Sequence, residues 1–209
     1  MTIVLSAQDP NAIAVAGELL NDGQLAIIPT DTVYGLAARL TDDAILRLYV
    51  AKQRPPDKAT PILLASLDDI ELVTEPLPPA IRRIATTFWP GPLTLVLPKR
   101  DGLPQRVSGV PTVGVRVPDN PITRAVIKAA GGALAVTSAN CSGKPVGTTV
   151  QEALEQLGDS VSMAIDAGVC KSAVASTVAA IDGRTVRVVR EGPISAAQLE
   201  EVMEDKPRV

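Results

Sequence analysis

Short aliphatic runs alternate with segments whose apolar residues recur at helical spacing, and this alternation continues through most of the chain. Continuous apolar runs of this length read as strands buried on both faces. They fall at 3–5, 25–28, 61–65, 93–97, 113–117, 134–136, 162–165, 177–181 and 186–189. Helices fit between them. Asp9-Pro10 gives an N-cap followed by proline at the first helical position, and Gly23 supplies a stop. Ile45, Leu48 and Tyr49 form a stripe within 42–52, and 79–88, 120–130 and 150–157 have the same character. Ser195-x-x-Gln198 is a capping box that opens a last helix running to about Met203. Asp182-Gly183 between two strand-like runs predicts a hairpin, so the sheet is expected to be mixed rather than purely parallel. The Pro/Gly-rich stretch 98–111 reads as a surface loop, since neither flank could bury a core alone. The pattern predicts one α/β domain over 1–209.

Composition changes this picture in three ways. Only 2% of the 209 residues are aromatic against 46% hydrophobic, so the core is aliphatic. The stacking platform that single-stranded nucleic acid needs is therefore missing. A net charge of −3 argues against a generally basic coat, although a local basic groove stays compatible with it. Two cysteines, Cys141 and Cys170, make no disulfide framework. With no leader-like start and no apolar run near the roughly 20 residues that span a bilayer, a cytoplasmic protein without membrane contact is expected. The third point is the most restrictive: the chain has no histidine. Ser-His-Asp and Cys-His catalysis and His-ligated metals are excluded. Chemistry must come from Lys, Arg, carboxylates, hydroxyls, backbone amides, or a metal carried in on a phosphate.

Four polar clusters break the aliphatic pattern. Pro29-Thr-Asp-Thr-Val-Tyr-Gly35 ends a buried run in small polar residues, either as a turn with an Asx-type cap or as a ligand loop at a strand end. Lys52-Gln-Arg54-Pro-Pro-Asp-Lys58 closes a helix. Its cations either offset the helix dipole or converge, on a proline-stiffened turn, to hold a triphosphate. Thr137-Ser-Ala-Asn140-Cys-Ser-Gly-Lys144 follows a strand but lacks the glycine spacing of a Walker loop. Cys141 within it has no histidine to activate it and reads as a plain thiol. Arg116 lies inside an apolar strand and needs an anionic partner, either a structural carboxylate such as Asp119 or that of a substrate. Ser176-Thr177 and Arg190 complete the fourth set.

Taken in order, these segments resemble the YrdC family of threonylcarbamoyl-AMP synthases. The likeness rests on Pro-Thr-Asp-Thr-Val-Tyr-Gly-Leu (29–36), Lys-x-Arg-Pro (52–55), Trp-Pro-Gly-Pro-Leu-Thr (89–94) and Val-Arg-Val-Pro (115–118). Ser-Ala-Asn with Ser-Gly (138–143), Ser-Thr (176–177) and Arg-x-Gly-Pro (190–193) complete it, over a core of about 12–202.

The resemblance implies a twisted mixed sheet with flanking helices and a concave ligand face. It implies joining of L-threonine, bicarbonate and ATP into threonylcarbamoyl-AMP with release of pyrophosphate. A TsaD-type transferase complex would receive the intermediate for tRNA modification. Carried over, Lys52 and Arg54 become the catalytic pair and hold the nucleotide with Ser138 and Asn140. Lys58 joins the phosphate contacts, and Thr112 and Arg190 the nucleotide side. Thr30, Arg116 and Ser176 line the threonine pocket. Mg²⁺ would arrive with ATP, with no organic cofactor and no metal ligand from protein side chains.

Removing Lys52 should then cost turnover and leave the thermal midpoint nearly unchanged. Two departures stand out. Some relatives carry a histidine in the strand that here reads Pro-Ile-Leu-Leu-Ala (61–65), and longer relatives carry a C-terminal second domain. The expectation is a short, single-domain form. The rival reading is a non-catalytic double-stranded RNA or tRNA binder; the synthase reading itself is compatible with weak tRNA binding.

Overall fold

The computed structural model describes residues 1–204 except 56, 171–173 and 184. Six α-helices and ten strands alternate among these residues. The strands are β1 (Ile3–Ser6), β2 (Ala26–Ile28), β3 (Gly35–Arg39), β4 (Ile62–Leu64) and β5 (Leu93–Pro98). They continue with β6 (Thr112–Arg116), β7 (Ala133–Ser138), β8 (Met163–Asp166), β9 (Thr177–Asp182) and β10 (Thr185–Arg190). The helices are α1 (Ala12–Asn21), α2 (Asp42–Lys52), α3 (Pro79–Phe88), α4 (Pro121–Ala129), α5 (Val150–Leu157) and α6 (Ala196–Glu204).

Local chemistry sets most boundaries. Thr41 caps α2, with Asp42 and Asp43 in its positive first turn and Lys52 in its last. Asn120 accepts the Thr123 N–H at 3.1 Å, with Pro121 opening α4. Thr149 and Glu152 form a capping box on α5. At α1 the sequence reading is corrected. Asp9 does not cap the helix; its carboxylate accepts from Asn11 N at 2.8 Å in a preceding turn, and the helix starts at Ala12.

All ten strands form one mixed sheet in the order β1-β8-β2-β3-β7-β4-β6-β5-β9-β10. β3 was not expected from the pattern. It is Gly-Leu-Ala-Ala-Arg, poor in strand-forming residues, and it is held by antiparallel pairing to β2 on one side and β7 on the other.

The two halves of the sheet are covered differently, and that difference makes the site. Ala26, Ile28, Ala37 and Val136 pack against Ala16 and Leu20 of α1 and Val126 and Ile127 of α4. On the other face Ile27, Leu36 and Ala38 meet Leu48 of α2 and Leu157 of α5. In the β5–β6 half, Leu93, Leu95, Leu97, Val113 and Val115 face Ile84 of α3 and Leu199 of α6. Strand alternation turns Thr94, Gly114 and Arg116 to the opposite face, which lines a cleft instead of receiving a helix.

α1 and α4 approach closely because Gly17 faces Ala129; a Cβ at 17 would lie 2.7 Å from Ala129 Cβ. Gly17→Leu is therefore expected to overpack this contact and lower stability by about 1–3 kcal/mol. Thermal denaturation should show a midpoint several degrees lower, and an unchanged midpoint would refute the close-packed interface.

Candidate active site

Four loops meet over the open face, and each is shaped by its own side chains. Residues 29–34 form a hairpin connection between β2 and β3, so this segment turns back into the sheet instead of leading to a helix. Thr30 Oγ1 lies 3.1 Å from Thr32 N and 3.2 Å from Val33 N and donates to Val33 O at 2.6 Å, closing a tight turn. Tyr34 points inward and is fully buried. Its phenol donates to Gly168 O at 2.7 Å and accepts from Ala167 N at 3.0 Å, tying the hairpin to the loop after β8. Burial is the main cause that pushes this phenol's pKa up to about 12.

Gly35 pairs with Ser138, so the 29–34 hairpin and the loop after β7 emerge side by side. Ser138 Oγ donates to Asn140 Oδ1 at 2.6 Å. Asn140 Nδ2 donates to Cys141 O at 3.0 Å and Lys144 O at 2.7 Å. Lys52 reaches this loop from beneath. Its ammonium donates to Ser138 O, Asn140 O and, at 3.2 Å, Asn140 Oδ1. Three acceptors match its three donors, in a site where the residue is 1% exposed. Burial first, and the Arg54 charge second, pull the Lys52 pKa down to about 8.

Arg116 enters from β6 and is 5% exposed. Its Nε donates to Gly91 O at 2.9 Å, Nη1 lies 3.4 Å from Thr32 Oγ1, and Nη2 bonds Asp31 Oδ1 at 2.5 Å. Burial pulls the Arg116 pKa down, while the Asp31 charge and hydrogen bond oppose that shift. The partner is thus Asp31 on the hairpin. Asp119, the carboxylate suggested by sequence proximity, instead meets Arg124 at 3.5 Å on the surface. Gly91 can present its carbonyl only as glycine, since a Cβ there would lie 2.4 Å from Phe88 O.

Arg190, at the end of β10, donates to Ser176 O at 3.1 and 2.7 Å and to Ser176 Oγ at 3.0 Å. Burial, then the neighbouring Arg116 charge, lowers its pKa. Gly192 permits this turn, because a Cβ there would lie 2.3 Å from Thr177 N.

Together these residues bound a cleft of ≈ 390 Å³. Six of the ten site residues expected from sequence line it: Thr30, Arg54, Arg116, Ser138, Ser176 and Arg190. Lys52 and Asn140 lie beneath its floor, where they brace the 138–144 loop. Thr112 shares the face of Gly114 and Arg116 by alternation but sits at the far end of β6. Lys58 is exposed.

Of the two readings left open for Lys52, Arg54 and Lys58, convergence of all three on the cleft is not the arrangement seen. Lys52 turns inward, and Arg54 bonds Lys58 O at 3.3 Å and Ala59 O at 2.8 Å within its own turn. Pro61 and Leu63, from the 61–65 stretch, give the cleft an apolar wall. Asp31, Thr94 and Tyr34 were absent from the expected set. An aspartate beside Thr30 and a threonine closing the 89–94 motif were visible, but nothing local said which way they faced.

The Sua5/YciO/YrdC family profile, described as telomere recombination, matches residues 18–192. A threonylcarbamoyl-AMP synthase of Bacillus subtilis is 37% identical over 97% of this chain and 59% of its own length. A Vibrio cholerae protein of the same name is 33% identical over 85% of this chain and 95% of its own. The structure of Pyrococcus abyssi Sua5 complexed with L-threonine superposes with a TM-score of 0.90 at 33% identity, covering 98% of this chain and 61% of that one. The chain thus spans about three fifths of the Bacillus and Pyrococcus relatives.

The buried position of Lys52 changes the expectation for its removal. Lys52→Met leaves three oxygens of the 138–140 segment without their donor, at a cost of about 1–3 kcal/mol. The thermal midpoint should fall by several degrees instead of staying put. Its folded pKa of about 8 lies below the ordinary 10.5. Between these values the unfolded chain binds more protons, so stability rises with pH there. Wild type should gain in midpoint relative to Lys52→Met from pH 8 to 10. A constant difference across that window would refute a buried, titrating ammonium.

Proposed function

The chain belongs to the Sua5/YciO/YrdC family, and from that premise we propose that it is a threonylcarbamoyl-AMP synthase of the cytoplasm, acting on L-threonine, bicarbonate and ATP. One observation carries the reading. A cleft sized for small reactants holds two neighbouring guanidinium groups, Arg116 and Arg190, beside buried hydroxyls and an apolar wall. Such a site suits an amino acid with a hydroxyl and a methyl, together with anionic co-substrates.

The chemistry asks for little beyond this. Threonine's amine adds to bicarbonate to give a carbamate and water. A carbamate oxygen then attacks the α-phosphorus of ATP, forming threonylcarbamoyl-AMP as pyrophosphate leaves. Both partners of the second step are anionic, so the site must screen repulsion and align attack. Arg116 holds the amino-acid carboxylate, with its orientation fixed by Gly91, Thr32 and Asp31. Arg54, Arg190 and the Ser138 loop face the nucleotide. Lys52 and Asn140 act one step back, by fixing the carbonyls and hydroxyl of that loop.

Mg²⁺ carried on the triphosphate would neutralise charge on the departing pyrophosphate. Among the described residues no group of three or more His, Cys, Asp or Glu is placed to hold a metal, so the reading leaves that ion to the phosphates. The intermediate would pass to a TsaD-type transferase complex acting on tRNA. Among the described residues no helix is long and apolar enough to cross a membrane.

The test is pyrophosphate release from ATP, with threonine and bicarbonate omitted in turn. Omitting either should reduce release to background. Release that ignores threonine would overturn the reading. Tight, strongly salt-dependent tRNA binding without turnover would favour the RNA-binding alternative.

A further inference from the structure

Thr94 on β5 and Ser176 just before β9 bring their hydroxyl oxygens within 2.9 Å of each other. They are 3% and 4% exposed, and both line the cleft. Their protons can be counted. Arg190 Nη2 donates to Ser176 Oγ at 3.0 Å, and a guanidinium only donates. Ser176 therefore gives up a lone pair there and keeps its proton. The contact between the two hydroxyls uses one of the pair's protons, whichever residue donates. Among the described residues no acceptor takes the other proton. A buried O–H without an acceptor is costly, by about 1–3 kcal/mol, and the space this pair faces is the cleft. It thus offers a ligand one O–H donor together with a lone pair.

Position selects the ligand atom. The β5–β6 register, with Leu95 opposite Val115 and Val96 opposite Gly114, sets Thr94 across from Arg116 on the same face. A Cβ on Gly114 would lie 3.0 Å from Thr94 Cγ2, so the Thr94 methyl packs down over that glycine. A carboxylate is drawn to the Arg116 guanidinium beside it. A neutral hydroxyl, which both gives and takes a hydrogen bond, suits the Thr94–Ser176 pair. Leu63, paired in register with Arg116 on the other side, adds apolar surface for a methyl group.

We propose that Thr94, completed by Ser176, is a specificity-determining residue that reads the side-chain hydroxyl of the amino-acid substrate. This rests on the reading of the cleft as a threonine site. A site built to bond a hydroxyl rejects the analogue lacking it far more strongly than a pocket rejects one methyl. The proper analogue is 2-aminobutyrate, which is threonine without its hydroxyl.

The experiment measures kcat/KM for pyrophosphate release with threonine and with 2-aminobutyrate, and binding of both by calorimetry. It uses the full chain as wild type, Thr94→Val and Thr94→Ser. Wild type should prefer threonine by about 100-fold or more. Thr94→Val, which keeps the shape and drops the hydroxyl, should reduce that preference at least roughly tenfold while 2-aminobutyrate is used as before. Thr94→Ser should keep the preference.

If Thr94→Val does not fold, Thr94→Ala carries the same comparison. Equal losses on both amino acids, or an unchanged preference, overturn the inference and leave the proposed function standing. A wild type that neither turns over nor binds threonine overturns both.

Discussion

A guanidinium placed inside an aliphatic sheet is tolerable only where its donors meet acceptors, and much of the site serves that requirement for Arg116. Gly91 gives a carbonyl, Thr32 a hydroxyl and Asp31 a carboxylate. Each comes from a different constraint. Gly91 reaches in because no side chain fits at that position. Thr32 and Asp31 are delivered by a hairpin whose shape is fixed by the Thr30 hydroxyl and anchored by the buried Tyr34 phenol. The charge is therefore held in place before any ligand arrives, which is what electrostatic catalysis asks of a site. Removing one of those acceptors would leave a buried cation partly unpaired, the costly case for a charge in an apolar interior.

The same logic explains the division of labour among the cations. Arg116 and Arg190 line the cleft, each with part of its guanidinium bound to a backbone oxygen and donors left over. Lys52 has all three of its donors engaged with the 138–140 segment, so it braces that loop. Charge count along the sequence could not separate these roles. A lysine at the end of a helix is usually solvated. Here the left-handed turn at Gln53, with φ of 51°, follows a helix end whose last lysine lies under the neighbouring loop.

Coverage of the sheet is the second organising fact. Its β2–β3–β7 half is packed by helices on both faces, while the β5–β6 half has α3 and α6 on one face only. A cleft follows on the face left over, and its floor is kept low by small residues. Gly35 has Val136 where a Cβ would go, and Gly114 accepts the methyl of Thr94. Polar groups at that floor are largely shielded from solvent, so they pair with one another, as Thr94 and Ser176 do, while still facing the cleft.

The sequence alone determined the α/β class, most strands and helices, the absence of histidine chemistry and the polar clusters at which ligand contacts would gather. These are local properties: runs of aliphatic residues, caps and residue inventory carry them without knowledge of partners. Only the tertiary structure decided that Gly35–Arg39 is a strand, since its own residues do not favour one and two neighbours impose it. It also decided that Asp31, remote in sequence, outcompetes the nearby Asp119 for Arg116. Lys52 turned out to be a buried brace, and Thr94 to face Ser176, for the same reason. Each depends on strand register and on which face of the sheet a helix covers, and a one-residue slip in register turns every side chain to the other side. Composition and spacing name the groups a site contains; pairing across the sheet decides which of them meet.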